Sequence, residues 1–517
     1  MKAILLSLWL AIVLGGGLAI WNYPANRVPH APDTLEQRTA QHFQSIRNQP
    51  DRLQAFLKSM PKGADLHTHL SGAVYAETFV SWAAQAGMCV DPTSFVVSKE
   101  CSGKNGKTPV RFSQDLSKND PVFIRKLIDE WSTRNWEQSG KTGHDQFFET
   151  FGRWGELTAR SGEMLAEVRS RAAEGNVSYL EIMLTPDGGE SKKLGELLKW
   201  QDNFSLMREQ LLKADLVAKV VAAGKKNLDQ AEQKANEVLR CGQGQPNKGC
   251  EVETRYIFQV GRTNSPSQVF AQMLGAFEFA SHDSRVVALN LVQPEDNPTA
   301  MKDFTLHMRM LDYLHSIYSR VHITLHAGEL AARLVPPEAL LFHIRESVQT
   351  GHAERIGHGV DVMQETNAEQ LLQEMAARNV MVEICLTSND VILEVRGDKH
   401  PLRQYLAAGV PVALATDDEG VARSEITREY LKAVEDHNLG YLEFKRMART
   451  SLQYAFIAGE SLWKDFRTPE LTSACSTDRP ESNTVSAQCQ QFLNDNKKAA
   501  LQWRLEKNLV AFEQQHQ

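Results

Sequence analysis

The sequence predicts an α/β fold of the TIM type, a (β/α)8 barrel with a helical extension at its N-terminus, insertions, and helices at its C-terminus. Eight short apolar runs recur along the chain with helical segments between them, and this alternation is typical of a parallel sheet with helical crossovers. Eight is also the number of strands that closes a TIM-type barrel. The predicted strands are residues 64–70, 177–184, 252–260, 286–292, 321–325, 355–357, 380–385 and 410–415.

The segments around these strands complete the predicted organisation. Helices are predicted at 35–60, 225–240 and 426–459, and a final amphipathic helix at 496–514. Stretches rich in Gly, Lys, Ser and Asn indicate insertions into the barrel. The predicted parts are a signal peptide or membrane anchor at 1–21, a linker and helix at 22–59, the barrel at 60–468 with insertions at about 89–141 and 225–251, and a C-terminal loop and helix at 469–517.

Composition excludes one broad class of partner. The chain has 517 residues, of which 42% are hydrophobic and 23% charged, as in an ordinary globular protein with an ample core. Its 57 Lys and Arg residues against 64 Asp and Glu residues give a net charge of −7, without a concentrated basic stripe. We therefore expect no nucleic acid as the main partner, because nucleic-acid binding depends on such positive patches.

The N-terminus indicates export. Lys2 precedes an apolar stretch at 3–21 that is broken only by Ser7 and by the glycines at 15–17. This pattern is typical of an export signal, and the stretch is also nearly long enough to span a bilayer. We expect a protein exported to the periplasm or the extracellular space, either released or tethered to the membrane through 3–21.

The seven cysteines agree with an oxidising compartment. Six of them form pairs that are close in sequence and lie in or beside polar, loop-like stretches, as local disulfides do. Cys385 is left over inside an apolar run, where we expect a buried free thiol. Seven reduced cysteines in a cytosolic protein remain the alternative, since spacing alone does not prove pairing. The predicted disulfides are Cys89–Cys101, Cys241–Cys250 and Cys475–Cys489.

Polar clusters follow four of the predicted strands, and they suggest a shared site. A parallel barrel brings the carboxyl ends of its strands to one rim, so the clusters meet there. Three histidines and a carboxylate suit a metal, with a further acid and histidine beside them, which is typical of a hydrolase that activates water on a metal. The clusters are His67-Thr68-His69, His326-Ala327-Gly328-Glu329, Gly357-His358-Gly359 and Asp417-Asp418.

The spacing within the clusters supports this interpretation. His67 and His69 are two residues apart on a strand, so their side chains point the same way and supply two nitrogens from one rigid element. Gly328 permits a sharp turn after His326, which lets one loop present a ligand and an acid to the same cavity. The adjacent aspartates after the last strand point in different directions, so we expect them to have different roles.

These residues resemble the adenosine deaminase family, within the metal-dependent amidohydrolase barrels. The resemblance extends over about 60–462. The lead-in before His67, the export signal and the large first insertion are most similar to the secreted, growth-factor-type branch. The matching stretches are 60–69 (MPKGADLHTH), 326–329 (HAGE), 355–359 (RIGHG) and 416–418 (TDD), with Ser388-Asn389 between the last two.

The resemblance implies a role for each site residue. One zinc ion per chain would be bound by His67, His69, His326 and Asp417, although such ligands also suit iron, cobalt or manganese. Glu329, held protonated, would donate to the purine N1, and His358 would accept or guide the proton of the attacking water. Asp418 would hydrogen-bond N7, while His69 and Gln293 would face the substrate. The products would be inosine, or deoxyinosine, and ammonia.

Three positions depart from the family pattern, and all of them concern the substrate. Ser71 stands where an acidic residue near the ribose is usual. Gln293 stands where a glycine normally faces the purine, so its side chain must turn away or change the pocket. Leu386 replaces a common proline. Deamination therefore follows from the resemblance more directly than the choice of substrate does.

Three functions stay open from the sequence. The leading one is an exported, zinc-dependent deaminase of a small purine nucleoside, adenosine or deoxyadenosine. The second is a deaminase of another aminopurine, suggested by Ser71 and Gln293. The third is a non-catalytic secreted binding protein, suggested by the first insertion, although a structural lid or a homodimer contact also accounts for that insertion.

Overall fold

The computed structural model describes residues 34–101, 109–113, 119–467, 469–482 and 484–517. The signal peptide or anchor predicted at 1–21 lies outside the described residues. Within the ranges that the structure covers, no helix is both long enough and apolar enough to cross a membrane.

Eight parallel strands form the barrel, in the order of the sequence. Every predicted strand is confirmed, with ends within two residues of those predicted. The sheet closes where Thr68 and Asp417 form a parallel bridge, through Asp417 N to His67 O at 2.8 Å and His69 N to Asp417 O at 3.2 Å. The strands are β1 Gly63–His69, β2 Val177–Leu184, β3 Glu253–Gly261, β4 Val286–Val292, β5 His322–Ala327, β6 Arg355–His358, β7 Met381–Ile384 and β8 Val412–Leu414.

The helices of the described residues cover the outer face of the strands, while the inner face is packed inside the barrel, so both faces are buried, as parallel sheets require. In chain order they are α1 Leu35–Ile46, α2 Pro50–Ser59, α3 Ala76–Gln85, α4 Pro121–Glu130, α5 Gly143–Trp154, α6 Ser161–Glu174, α7 Glu190–Glu196, α8 Phe204–Lys213, α9 Leu216–Leu239, α10 Pro266–His282, α11 Pro298–His315, α12 His343–Gln349, α13 Ala368–Arg378, α14 Leu386–Leu393, α15 Leu402–Ala408, α16 Glu419–Ala422, α17 Ile426–His437, α18 Tyr441–Gln453, α19 Ala487–Asp495 and α20 Lys497–Gln515.

The single helix predicted at 35–60 is wrong, because the structure divides it into α1 and α2. Thr34 caps α1, its side chain accepting a hydrogen bond from Gln37 N. Pro50 starts α2 at its first position. Proline has no N–H to donate to a preceding turn, so one helix cannot continue through it, whereas the first position of a new helix tolerates it.

The two insertions add local structure to the barrel. The first contains a small antiparallel sheet, formed by Cys89–Val90, Val97–Ser98 and Val110–Arg111, followed by α4. The second is a lengthened α9, which runs into a disulfide-closed loop. All three predicted disulfides are present, and Cys385 is free and buried, as expected.

Candidate active site

Four side chains at the carboxyl end of the barrel converge on one point, with ligand atoms all within 4.8 Å of one another. They are His67, His69, His326 and Asp417. Nε2 of His326 lies 3.1 Å from Nε2 of His67 and 3.2 Å from Nε2 of His69. Oδ1 of Asp417 lies 3.6 Å and 3.4 Å from the same two nitrogens. The structure thus brings together every residue that the sequence predicted for a metal.

The remote nitrogen of each histidine ring is held by a buried or half-buried polar side chain. Glu383 on β7 accepts from Nδ1 of His67 at 2.6 Å. Asn290 on β4 accepts from Nδ1 of His326 at 2.9 Å. The amide of Gln259 on β3 lies 2.7 Å from Nδ1 of His69. These contacts fix the ring orientations so that all three Nε2 atoms face the convergence point, and for His67 and His326 the donated Nδ1–H leaves Nε2 free, as in metal-binding histidines.

The charges at this point suit a cation. Burial lowers the pKa of His69 to about 4 and moves the pKa of His326 well below its usual range, so both rings are neutral near pH 7. Burial opposes ionisation of Asp417, but the surrounding histidines lower its pKa below the usual range. Ser388 also donates to Asp417 Oδ2 at 2.5 Å. The neutral rings of His69 and His326 and the ionised carboxylate are in the forms that bind a metal. Burial opposes protonation of His67, but Glu383 raises its pKa above the usual value.

Glu329 stands beside this cluster as a buried acid. Gly328, at φ +73°, makes the turn after β5, and Glu295 accepts from the backbone N–H of Glu329 at 2.9 Å. Burial raises the pKa of Glu329 well above its usual range, and the charges of Asp417 and Glu295 raise it further. The Glu329 carboxyl group therefore holds a proton at neutral pH and can donate it.

Asp418 is a second buried acid, and it differs from Asp417 as the sequence predicted for adjacent aspartates. Burial and the neighbouring charge of Asp417 raise the pKa of Asp418 well above its usual range. Among the described residues, Oδ1 of Asp418 has no hydrogen-bond partner, although it is buried. A protonated carboxyl group with one buried oxygen free of partners can recognise a ligand nitrogen.

A chain of hydrogen bonds fixes the tautomer of His358. The backbone N–H of Leu402 donates to Nδ1 of His400 at 3.2 Å, so His400 carries its proton on Nε2. That Nε2 donates to Oδ1 of Asn389 at 3.0 Å, and Nδ2 of Asn389 donates to Nδ1 of His358 at 2.9 Å. Because burial lowers the pKa of His358 to about 3, the ring is neutral and its single proton lies on Nε2.

That proton faces the site. Nε2 of His358 lies 3.6 Å from Oε1 of Glu329 and has no hydrogen-bond partner in the described part of the chain. His358 therefore presents an N–H group to whatever oxygen binds between them. The sequence left two roles open for His358, to guide the attacking water or to accept its proton. This tautomer favours the first role, in which Nε2–H donates a hydrogen bond to the attacking oxygen.

Three site residues adopt a left-handed backbone conformation that non-glycine residues rarely take. These are Gln293 at φ +79°, His358 at φ +69° and Asp417 at φ +58°. All three lie at the rim: Gln293 follows β4, His358 ends β6, and Asp417 follows β8. Such strain costs of the order of 1–3 kcal/mol per residue and clusters at functional sites, where the surroundings enforce it.

A cavity of about 360 Å³ opens above these residues. Its floor holds His69, His326, Glu329 and the two adjacent aspartates, and one wall is apolar. That wall consists of Phe147, Phe148 and Phe151 on α5. A polar floor under an aromatic wall suits a flat heterocycle, and the volume lies within the range of about 300–1,000 Å³ for small-molecule sites.

The structure also locates the departures from the family pattern. Ser71 and Gln293 both line this cavity. The Gln293 side chain turns away, which is one of the two outcomes expected from the sequence. Its Oε1 accepts hydrogen bonds from Thr263 N at 3.1 Å and from Thr263 Oγ1 at 2.6 Å. Leu386 starts α14, the helix that carries Ser388 and Asn389.

Sequence reasoning missed the residues that support the site and the aromatic wall. Glu383 and Asn290 sit inside runs that were predicted only as apolar strands, and a single polar residue in such a run was the available signal. The spacing of Phe147, Phe148 and Phe151 gives one aromatic face to a helix, which was a second signal. No local pattern points to His400, whose contact with Asn389 arises from the tertiary fold.

Comparisons with known proteins agree with this geometry. Residues 163–463, more than half of the chain, match the family model described as adenosine deaminase. The adenosine deaminase of Pectobacterium atrosepticum is 36% identical over 180 residues, which cover 34% of this chain and 48% of that protein. The adenosine deaminase of Escherichia coli (strain SMS-3-5) is 34% identical over 142 residues, covering 27% of this chain and 39% of that protein. This chain thus spans half or less of the length of these two relatives.

Solved structures of similar fold include an adenine deaminase from Arthrobacter aurescens, with 19% identity, a TM-score of 0.49, and coverage of 77% of this chain and 94% of that one. A zinc-containing amidohydrolase from Burkholderia ambifaria has 16% identity, a TM-score of 0.47, and coverage of 89% and 95% respectively. The family match extends over β2 to β8, and the structure joins His67 and His69 of β1 to the ligands within it. The chain belongs to the adenosine deaminase family.

Proposed function

We propose that this protein is a metal-dependent hydrolase that removes the 6-amino group of an adenosine-like purine and releases ammonia. One observation carries the proposal. A buried acid that holds its proton, Glu329, shares a cavity with three histidines and a carboxylate whose ligand atoms converge. The names of the two bacterial relatives agree with this activity.

The donor set fits one zinc ion per chain. Zinc binds imidazole nitrogen at about 2.0–2.1 Å, so the edge of a tetrahedral ligand shell measures about 3.3 Å. The separations of 3.1 to 3.6 Å among the nitrogens and Asp417 Oδ1 are close to that edge. Zinc held there would lower the pKa of water to about 7 and so supply a nucleophile near neutral pH. Iron, cobalt or manganese also accept these ligands.

The chain's own groups account for the remaining proton transfers. Glu329 would donate its proton to N1 of the purine, which makes C6 electrophilic. The Nε2–H of His358 would hydrogen-bond the attacking oxygen and orient it towards C6. The protonated Asp418 would donate to N7 and fix the orientation of the base. Water adds its oxygen to C6 and the C6–N bond breaks; one proton of the water completes the ammonia that leaves, and the other restores the acid form of Glu329.

The substrate we propose first is adenosine or deoxyadenosine, with inosine or deoxyinosine as product. Another aminopurine is the second candidate, because Ser71 and Gln293 line the cavity where the family usually has an acid and a glycine. A non-catalytic binding protein is the weakest candidate, since neither a predicted ligand nor Glu329 has been lost.

We also propose that the protein works in an oxidising compartment, as a released or N-terminally tethered exported protein. Its three disulfides support this location, because such bonds persist mainly outside the reducing cytosol. A homodimer remains a prediction from the sequence alone.

The test follows the purine absorbance of adenosine with zinc-loaded protein, beside Glu329→Gln and Glu338→Gln. Glu338 is an exposed carboxylate further along the β5–α12 connection, so its variant is the matched control. We expect conversion to inosine that falls about 10²–10⁴-fold in Glu329→Gln, as loss of a general acid predicts, and is unchanged in the control. Absence of conversion with bound metal rejects adenosine, and failure of a wider aminopurine panel rejects deamination.

A further inference from the structure

A second cavity, of about 530 Å³, adjoins the cavity above the metal-binding residues. Ser71 and Gln259 line both cavities, so the two spaces meet at these side chains. The second cavity, which we term the side groove, lies between the start of α6 and the middle of α9, beside the ends of β1 and β2. A ligand seated above the metal-binding residues could therefore extend into it without leaving the protein surface.

The side groove has mixed apolar and polar walls, and several of its polar groups have no partner among the described residues. Its walls carry hydroxyl and amide groups together with one carboxylate, Glu163, and one ammonium, Lys234. The side chains of Ser71, Ser161 and Glu163 are half-buried, and within the described ranges none of them forms a side-chain hydrogen bond or ion pair. Partly buried polar groups left without protein partners are available to a ligand.

The two charged groups belong to helices that meet closely at the groove. Gly162 lets α6 approach α9, because a Cβ at that position would collide with the side chain of Lys234. Glu163 follows directly on α6. Lys234 Nζ lies 3.8 Å from Glu237 on its own helix, a loose pair in which the lysine side chain is about half exposed. A carboxylate and an ammonium thus stand on adjoining walls of one groove.

The proposed function determines which end of a substrate reaches this groove. The reacting carbon must lie near the metal ligands, with the purine edge against Glu329 and Asp418. The sugar must then occupy the remainder of the first cavity, and the boundary at Ser71 and Gln259 is where a substituent on the sugar would leave it. The small hydroxyl of Ser71 leaves that boundary open.

We infer that the side groove binds a substituent of amino-acid type at the sugar end of the nucleoside, its ammonium pairing with Glu163 and its carboxylate with Lys234. The inference rests on the proposed deaminase function. A phosphate suits the groove less well, because a single lysine faced by a carboxylate is a poor anion site compared with paired basic groups. The substrates therefore include nucleosides extended by a zwitterionic group, beside adenosine itself.

The test compares kcat/KM of the zinc-loaded full chain for adenosine, 5′-methylthioadenosine, S-adenosylhomocysteine and adenosine 5′-monophosphate. These four carry a hydroxyl, an apolar group, an amino-acid group and a phosphate at the same position. We expect S-adenosylhomocysteine to have the highest kcat/KM. Glu163→Gln should lower the ratio of kcat/KM for S-adenosylhomocysteine to kcat/KM for adenosine about tenfold, which corresponds to about 1.4 kcal/mol. Glu174→Gln, an exposed carboxylate at the far end of α6, should leave the ratio unchanged.

Each other outcome overturns the inference in a distinguishable way. Deamination of adenosine with no gain for S-adenosylhomocysteine, or an equal loss for both substrates in Glu163→Gln, rejects the zwitterion site and keeps the proposed function. A preference for the monophosphate assigns the groove to phosphate instead. Absence of turnover for all four substrates, with metal bound, rejects the proposed function and the inference with it.

Discussion

The Glu383 carboxylate joins His67 at the rim to the interior of the barrel, with Oε2 at 2.6 Å from Nδ1 of His67 and Oε1 at 2.6 Å from Nε of Arg355. Arg355 in turn pairs with Glu181 on β2 at 2.7 Å, and all four side chains are buried. Arg355 and the hydrogen bond from His67 lower the pKa of Glu383 against the effect of burial, so it is ionised. A buried ion-pair network therefore holds one histidine of the site in place.

Glu383→Gln should weaken metal binding while the fold persists. The substitution keeps the size of the side chain but removes the charge that orients His67, and losses of this kind cost about 10–100-fold in metal affinity. Competition against a chelator of known zinc affinity measures the change. Glu354→Gln is the matched control, because Glu354 pairs with Nδ1 of His322 at 2.9 Å on the surface. Equal affinities in the two variants would show that Glu383 does not support the site.

Asn389→Asp should lower kcat without loss of metal. An aspartate at this position accepts a hydrogen bond from Nδ1 of His358, so the ring proton moves away from Nε2 and the N–H directed into the site disappears. We expect kcat to fall by at least about 10²-fold, since a wrong histidine tautomer costs about 10⁴-fold in a serine protease triad. Steady-state kinetics with metal analysis of the same sample checks this. Unchanged kcat would mean that the tautomer is irrelevant to the reaction.

The barrel and its candidate metal ligands were predictable because each depends on a local pattern. Apolar runs of strand length fixed β1 to β8, and the two-residue spacing of His67 and His69 showed that they share a face. The supporting residues were not predictable in this way. Glu383 and Asn290 act through partners on other strands, and the cavity wall of Phe148 and Phe151 acquires its role only when α5 packs over the rim. Pro50, by contrast, was a local signal whose effect on the helix at 35–60 was overlooked.

His144→Asn should remove a pH dependence of substrate affinity. His144 at the start of α5 lies 3.1 Å from Asp296, so it connects α5, the helix of the cavity wall, to the loop that follows β4. Burial opposes protonation of His144, but Asp296 and Asp145 raise its pKa above 6.5. The attraction between His144 and Asp296 is present while His144 is charged, and it is lost as the pH rises through the raised pKa of His144. We expect KM of the wild type to rise above this pKa, and KM of the variant to be high and flat, which KM measured against pH will show. A variant that keeps the wild-type profile would contradict the role of this contact.

His307→Leu should make the protein less sensitive to acid. His307 on α11 is buried, and neither ring nitrogen has a partner among the residues that the structure covers. Burial lowers its pKa to about 3, against 6.5 when unfolded. The unfolded chain therefore binds the extra proton as the pH falls below 6.5, and stability is lost in that range. Urea unfolding measures the free energy of unfolding at pH 6.5 and at pH 5. Between these two pH values the variant should lose up to about 2 kcal/mol less of it than the wild type. The same loss in both proteins would contradict the prediction.

We expect deamination to depend on one metal ion held by four side chains, those of His67, His69, His326 and Asp417. The most direct measurement removes metal with a chelator and follows adenosine deamination during titration with zinc. We expect no activity in the stripped protein, then a linear rise that levels at one equivalent per chain. Full activity without metal, or a rise that continues to two equivalents, would contradict this account of the site.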